Sequence, residues 1–271
     1  MNDSWLVLTL FSKTTDLNIL SSYFDTCSLG SHDCDEKINL YFDFSSRHKV
    51  ESILENINVK YKFEYDWSTE NKKNWMENWK DFFTPVSINN EVIIIPDWDE
   101  KTYNHKYKIK LCPAMAFGTG HHESTQLIIQ QMLYFKIHKY ESLLDLGAGS
   151  GILSILAKKM GLSKITSIDN DPVCMDNFNQ NCSLSDVSGI NFLTQDVHEF
   201  NDYNYDIILA NIDKNNIIKI LKKYQKNKTT ARLILAGLLD INFSEIKENI
   251  GSCIIENHIQ KGEWISISVK K

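Results

Sequence analysis

The sequence predicts an α/β protein with a mostly parallel sheet, an antiparallel C-terminal edge hairpin and a small N-terminal α+β domain. Three observations predict it. From residue 142 onwards, strand-like apolar runs alternate with helical patterns, which builds parallel strands joined by right-handed crossovers. A turn of spacing Gly-x-Gly-x-Gly (Gly147, Gly149, Gly151) stands between the first of these strands and its helix. Two runs, 252–259 and 264–269, are joined through Lys261-Gly262-Glu263 and read as an antiparallel pair on the sheet edge.

The N-terminal residues alternate elements quickly. Residues 5–11 read as a strand. Asp16 is placed to cap a short helix through Ile19, Leu20 and Phe24. A strand over 38–44 follows, then a helix carrying Val50, Ile53, Leu54 and Ile57, then a strand over 59–65. Residues 1–65 therefore form a small α+β unit of ferredoxin-like element order, without a motif that carries chemistry. Residues 66–84 change character: Trp75 and Trp79 share one face of an expected amphipathic helix, ended by Pro85. This segment reads as a linker, and 85–271 as the domain with the chemistry.

Within 85–271, short strands are expected at 92–95 and 107–111. The main pattern begins with a strand at 142–146, the glycine turn, and a helix closed by Gly161. Strands at 165–168, 190–193, 205–211 and 233–237 follow, with helices at 173–182, 214–226 and 243–250.

Composition narrows the function. The chain has 271 residues, 29 Lys+Arg against 35 Asp+Glu, and a formal net charge of −6. That acidity argues against broad nucleic-acid binding, which needs a basic face, and suits a basic partner better. No apolar run reaches the ~18 residues of a membrane span. Met1-Asn2-Asp3-Ser4-Trp5 has no basic n-region, so a cytoplasmic location is expected. The six cysteines are scattered without a Cys-x-x-Cys pair, so reduced thiols are expected and a zinc ribbon is not.

The glycine turn admits a ligand close to the backbone, and the helix N-terminus after it favours an anionic group. A dinucleotide site would have Gly where Ile152 stands. Asp169, about 20 residues on at a strand end, is placed to accept hydrogen bonds from ribose hydroxyls. Asp196 and Ala210-Asn211 stand at the ends of the next two strands. An adenosine-like ligand without a pyrophosphate satisfies this set, and S-adenosylmethionine is that ligand.

These residues, with Ile168-Asp169-Asn170-Asp171-Pro172 and the edge hairpin, resemble a class I S-adenosylmethionine-dependent methyltransferase with a Rossmann-like sheet. The block Ala116-Phe117-Gly118-Thr119-Gly120-His121-His122-Glu123-Ser124-Thr125 resembles the signature of the PrmA family, methyltransferases of the eleventh large-subunit ribosomal protein. Trp79-Lys80, Ile95-Pro96-Asp97-Trp98 and Gly262-Glu263-Trp264 extend the resemblance from about residue 75 onwards. It implies cofactor contacts at Thr125, Gly147, Gly149, Asp169 and Phe117. It implies Asn211 beside the transferring methyl and Asp196 near the adenine. Asn170 replaces an apolar residue of the family and is expected to point away from the ligand. The implied activity is methyl transfer to lysine or other amino groups, with residues 1–65 docking the ribosomal protein.

Chemistry agrees with an amine acceptor. A neutral amine needs a hydrogen-bond acceptor, either the Asn211 side-chain carbonyl or the Ala210 main-chain carbonyl. In methyltransferases of planar bases and amides, an aromatic residue follows this Asn; here Ile212-Asp213 follows. RNA or a small molecule is the alternative substrate. His121-His122 has no third ligand nearby in sequence, so no metal is expected. A monomer is expected.

Overall fold

The computed structural model describes residues 4–15, 17–24, 27–34, 37–71, 83–113 and 119–271. The chain divides into two compact units, Met1–Phe82 and Phe83–Lys271.

The first unit runs β1 (Ser4–Phe11), α1 (Leu17–Ser22), β2 (Gly30–Cys34), β3 (Lys37–Phe42), α2 (Arg47–Asn58) and β4 (Glu64–Asn71). Its antiparallel sheet has the order β2-β3-β1-β4, a split β-α-β arrangement. Alternation along β1 turns Leu6, Leu8 and Leu10 to one face, where they meet Leu40 and Phe42 of β3 and Val50, Leu54 and Ile57 of α2.

Two elements differ from expectation. β2 has the sequence Gly-Ser-His-Asp-Cys and lies on the sheet edge, so it lacks the apolar alternation that would announce a strand. The last strand starts at Glu64 rather than 59. Helix α2 continues until Ile57 is buried, which leaves Val59 91% exposed in the turn beyond it. The boundary drawn at residue 65 falls inside β4, which pairs with β1 from Phe11 back to Ser4. Asp16 and the expected helix around Trp75 and Trp79 lie outside the described residues.

The second unit opens with a three-stranded sheet: β5 (Val86–Ile88), β6 (Val92–Pro96) and β7 (Tyr107–Leu111), in that order. Helix α3 (Glu123–Tyr134) follows. The main sheet alternates β8 (Ser142–Leu146), α4 (Ile152–Lys159), β9 (Lys164–Asp169), α5 (Pro172–Leu184), β10 (Asn191–Thr194), β11 (Ile207–Asn211), α6 (Lys214–Lys226), β12 (Arg232–Leu239), α7 (Phe243–Asn249), β13 (Ile254–Lys261) and β14 (Trp264–Lys270). Its order is β10-β9-β8-β11-β12-β14-β13. β8 to β12 are parallel, and β14 enters antiparallel between β12 and β13. The C-terminal hairpin forms the sheet edge as expected, with β13 outermost and β14 pairing with β12.

The parallel strands are covered on both faces. Ile207 and Leu209 of β11 join a core with α3, α4 and the small sheet, while Ile208 and Ala210 join one with α6 and α7. Helix α3 buries Leu127, Ile128, Ile129 and Met132, and also Gln131, whose side chain donates to Ser266 O and accepts from Asn257. Near-complete burial erases the polar stripe that marks an amphipathic helix in sequence. Arg232 of β12 grips Glu256 of β13 with two hydrogen bonds, 2.6 and 2.9 Å, so the edge strand is tied past β14. Among the described residues, no helix is long and apolar enough to cross a membrane.

Candidate active site

In an open α/β sheet, ligands bind at the carboxyl ends of the strands where the strand order reverses. Here the reversal lies between β8 and β11. A cavity of about 790 Å³ occupies that position, a volume suited to a cofactor. Gly147, Gly149, Asp169, Asp196 and Asn211 line it. Strand ends far apart in sequence thus bring these five together.

The glycine turn is built by its neighbours. Gly147, Gly149 and Gly151 have φ of 79°, 50° and 82°, in the left-handed region. The Gly147 and Ala148 N–H groups donate to Ile168 O at 2.8 and 3.0 Å, which fastens the turn to β9. The Gly149 N–H donates to Asp169 Oδ2 at 2.9 Å, and Asp169 Oδ1 accepts from the Asp171 N–H at 3.1 Å. Asp169 is therefore fixed by main-chain donors on both oxygens. A carboxylate has about four acceptor sites, so acceptors remain for a ligand.

Thr125 is fully buried on α3, and its Oγ1 accepts from Asn211 Nδ2 at 3.2 Å. The other side of the amide, Asn211 Oδ1, is buried without a partner among the described residues. Ala210 has strand partners on both sides, Leu146 in β8 and Leu235 in β12. Asp196 accepts from the His198 N–H at 2.7 Å. Phe117 lies outside the described residues. Asn170 lines the cavity rather than facing away: β9 ends at Asp169, so strand alternation no longer governs the next residue.

His122 and Trp264 form part of the cavity wall, with ring centroids 4.4 Å apart at 71°. His122 caps α3, its Nδ1 accepting from the Ser124 N–H at 3.2 Å, and burial pushes its pKa down despite Glu123 nearby. Adjacent His121 turns elsewhere, pairing through Nε2 with Thr84 O at 3.0 Å. Beneath the glycine turn, Asp145 is fully buried and accepts from Ser154 Oγ at 2.7 Å. Sequence reasoning missed Asp145, Trp264 as wall and Gly237. The Asp145 carboxyl two residues before Gly147 was the available signal for the first.

The residues fit S-adenosylmethionine. Four aspartates (169, 171, 196, 213) against one lysine, Lys219, favour a ligand carrying a sulfonium. Asn211, whose Oδ1 has no partner among the described residues, also lines the cavity. Sheet order, glycine turn and strand-end acids define a class I methyltransferase, whose methyl donor is S-adenosylmethionine.

Comparison with known proteins sharpens the class. Residues 14–271 match the family described as ribosomal protein L11 methyltransferase (PrmA). A ribosomal protein L11 methyltransferase of Phocaeicola vulgatus is 32% identical over 211 residues, covering 76% of this chain and 75% of the relative. One from Bacillus subtilis is 33% identical over 211 residues, covering 75% and 67%. The crystal structure of a ribosomal protein L11 methylase from Lactobacillus delbrueckii subsp. bulgaricus shares the fold, with a TM-score of 0.64 at 23% identity over 70% of this chain and 99% of that one. The chain belongs to the ribosomal protein L11 methyltransferase (PrmA) family.

Proposed function

We propose that this protein methylates amino groups, lysine side chains among them, of ribosomal protein L11. The observation that carries the reading is the Asn211 amide: its nitrogen is anchored on Thr125 and its buried oxygen is unpartnered at the cavity. When bound, the cofactor's sulfonium makes its methyl group an electrophile. The protein's part is to hold a nucleophile in line with it, and positioning supplies most of the rate.

A free lysine has a pKa of about 10.4, so the amine must shed a proton, and a water-poor cavity disfavours its ammonium form. Asn211 Oδ1 then accepts a hydrogen bond from the neutral amine and aims its lone pair. Solvent takes the proton. The residue after Asn211 is Ile212, not an aromatic, so no ring is available there to stack a planar base; this favours an aliphatic amine. In this reading Asp169 holds the ribose, Gly147, Gly149 and Thr125 border the cofactor, and Asp196 lies at the adenine.

The first unit would dock the substrate. Residues 1–82 hold 14 of the 35 Asp+Glu and only 9 of the 29 Lys+Arg, so nearly all the net charge resides there. Such a field speeds encounter with a basic protein and weakens with salt. Affinity for L11 should fall severalfold between low and physiological salt; a flat salt response would contradict this role. The reaction itself is tested by incubating the protein with labelled cofactor, separated ribosomal proteins and ribosomal RNA. Label confined to L11 is expected, whereas label in RNA or in small molecules only would overturn the proposal.

A further inference from the structure

Ile212 is held between glycines of the two strands that flank β11. A Cβ added at Gly147, after β8, would lie 2.4 Å from Ile212 Cγ2. A Cβ added at Gly237, in β12, would lie 2.3 Å from the Ile212 main-chain oxygen and 3.0 Å from its nitrogen and carbonyl carbon. The two contacts differ in kind. A side-chain methyl group can rotate away, but a peptide group can retreat only by moving the chain.

Gly237 reaches this peptide because β12 departs from regular register there: its pairing with β14 shifts between Leu235 and Leu238. Its φ of 84° is one that side chains rarely adopt. Just before it, Ala236 pairs with Asn211 in the ladder. The main chain of Ile212, the residue after Asn211, therefore rests directly on a bare Cα, and Gly237 also lines the cavity.

We propose that Gly237 is a positioning residue for methyl transfer: its missing side chain seats the Ile212 peptide and so fixes the Asn211 carboxamide over the cavity. This rests on the reading of Asn211 as the group that meets the amine. A methyl group at 237 would displace the peptide by about an ångström, and such a displacement costs on the order of 100-fold in rate. Cofactor binding depends mainly on Asp169 and the turn after β8, and would be largely spared.

The test compares Gly237→Ala and Gly147→Ala, each alone and with Ile212→Ala, measuring S-adenosylmethionine affinity by calorimetry and kcat and KM with ribosomal protein L11. Gly237→Ala should bind cofactor within about threefold of wild type and lose about 100-fold in kcat with KM little changed. Ile212→Ala should not rescue it, because the clash is with main-chain atoms, but should partly restore the cofactor affinity of Gly147→Ala. A Gly237→Ala kcat within twofold of wild type, rescue of that kcat by Ile212→Ala, or a loss wholly in cofactor affinity would overturn the inference. If Gly237→Ala does not fold, Ala236→Gly reads the same property by loosening β12 without adding an atom; a fall in kcat of about tenfold is expected, and an unchanged kcat overturns the inference. A wild-type protein that methylates no ribosomal protein would instead refute the proposed function.

Discussion

Asn211 at the end of β11 donates through Nδ2 to Thr125 Oγ1 at 3.2 Å, joining the end of the strand to the first turn of α3 across 86 positions. The bond fixes which way the amide faces and leaves its buried oxygen as an acceptor without a partner among the described residues. Thr125→Val removes the acceptor, leaves a buried donor unpaired, and should lower kcat about 10- to 100-fold. Thr125→Ser keeps the hydroxyl and should stay within about threefold. Asn211→Ala should lose at least as much as Thr125→Val. Full activity in Asn211→Ala, measured with L11, would remove the residue from the mechanism.

Asp169 serves the turn and the ligand together. Asp169→Ala removes the acceptor of the Gly149 N–H along with the expected ribose contacts. Two lost hydrogen bonds, each worth about 1.4 kcal/mol, give about a 100-fold weaker S-adenosylmethionine affinity. Calorimetry reads this directly, and an affinity within a few-fold of wild type would contradict the assignment.

Much of this site was legible in the sequence because its chemistry sits at strand ends marked by unusual residues. Gly147, Gly149 and Gly151 mark a backbone path that other residues resist, and Asp169 and Asn211 end apolar runs, so their elements and order could be inferred. What escaped depends on pairing across the sequence. The polar edge strand β2 exists because β3 offers it a partner. Helix α3 is buried on nearly every side, so it has no periodic stripe. Gly237 looked like the end of a strand, and only the approach of Ile212 gives it a role. Asn170, expected from the resemblance to point away from the ligand, lines the cavity just past the end of β9.

Asp145 gives a pH signature. Burial pushes its carboxyl up to about 6, the nearby Asp169 charge adds to this, and the Ser154 hydrogen bond only partly offsets it. Its Oδ1 has no partner among the described residues. Because the folded pKa lies above the unfolded one, its favourable contribution is complete below about pH 4 and declines as pH rises through 6. Asp145→Asn should therefore gain on wild type across this window, by about 2–3 kcal/mol, and hold that gain above it. Denaturant melts at pH 4, 6 and 8 measure the trend; a difference independent of pH would contradict it.

Asp206 should behave in the opposite sense. Burial pushes its carboxyl up, but it accepts from Ser142 Oγ, Ser142 N and Glu141 N at 2.8, 2.9 and 3.1 Å, and these hydrogen bonds prevail and hold its pKa below the usual range. The pairing joins the start of β11 to β8, at the end of the sheet away from the cavity. A depressed folded pKa contributes stability above about pH 4 that is lost as pH falls through the folded value. Asp206→Asn should cost about 1–2 kcal/mol at pH 7 and progressively less in acid, with cofactor affinity unchanged. An equal cost at pH 3 and pH 7 would contradict this account.

The central claim is that the Asn211 carboxamide presents an amino group to the donor methyl. The most direct measurement is mass spectrometry of ribosomal protein L11 after reaction with S-adenosylmethionine and either wild-type or Asn211→Ala protein. The account predicts methylene-sized mass increments on lysine or terminal amines with wild type, strongly reduced with the variant. Increments on other side chains, or equal methylation by the two proteins, would contradict it.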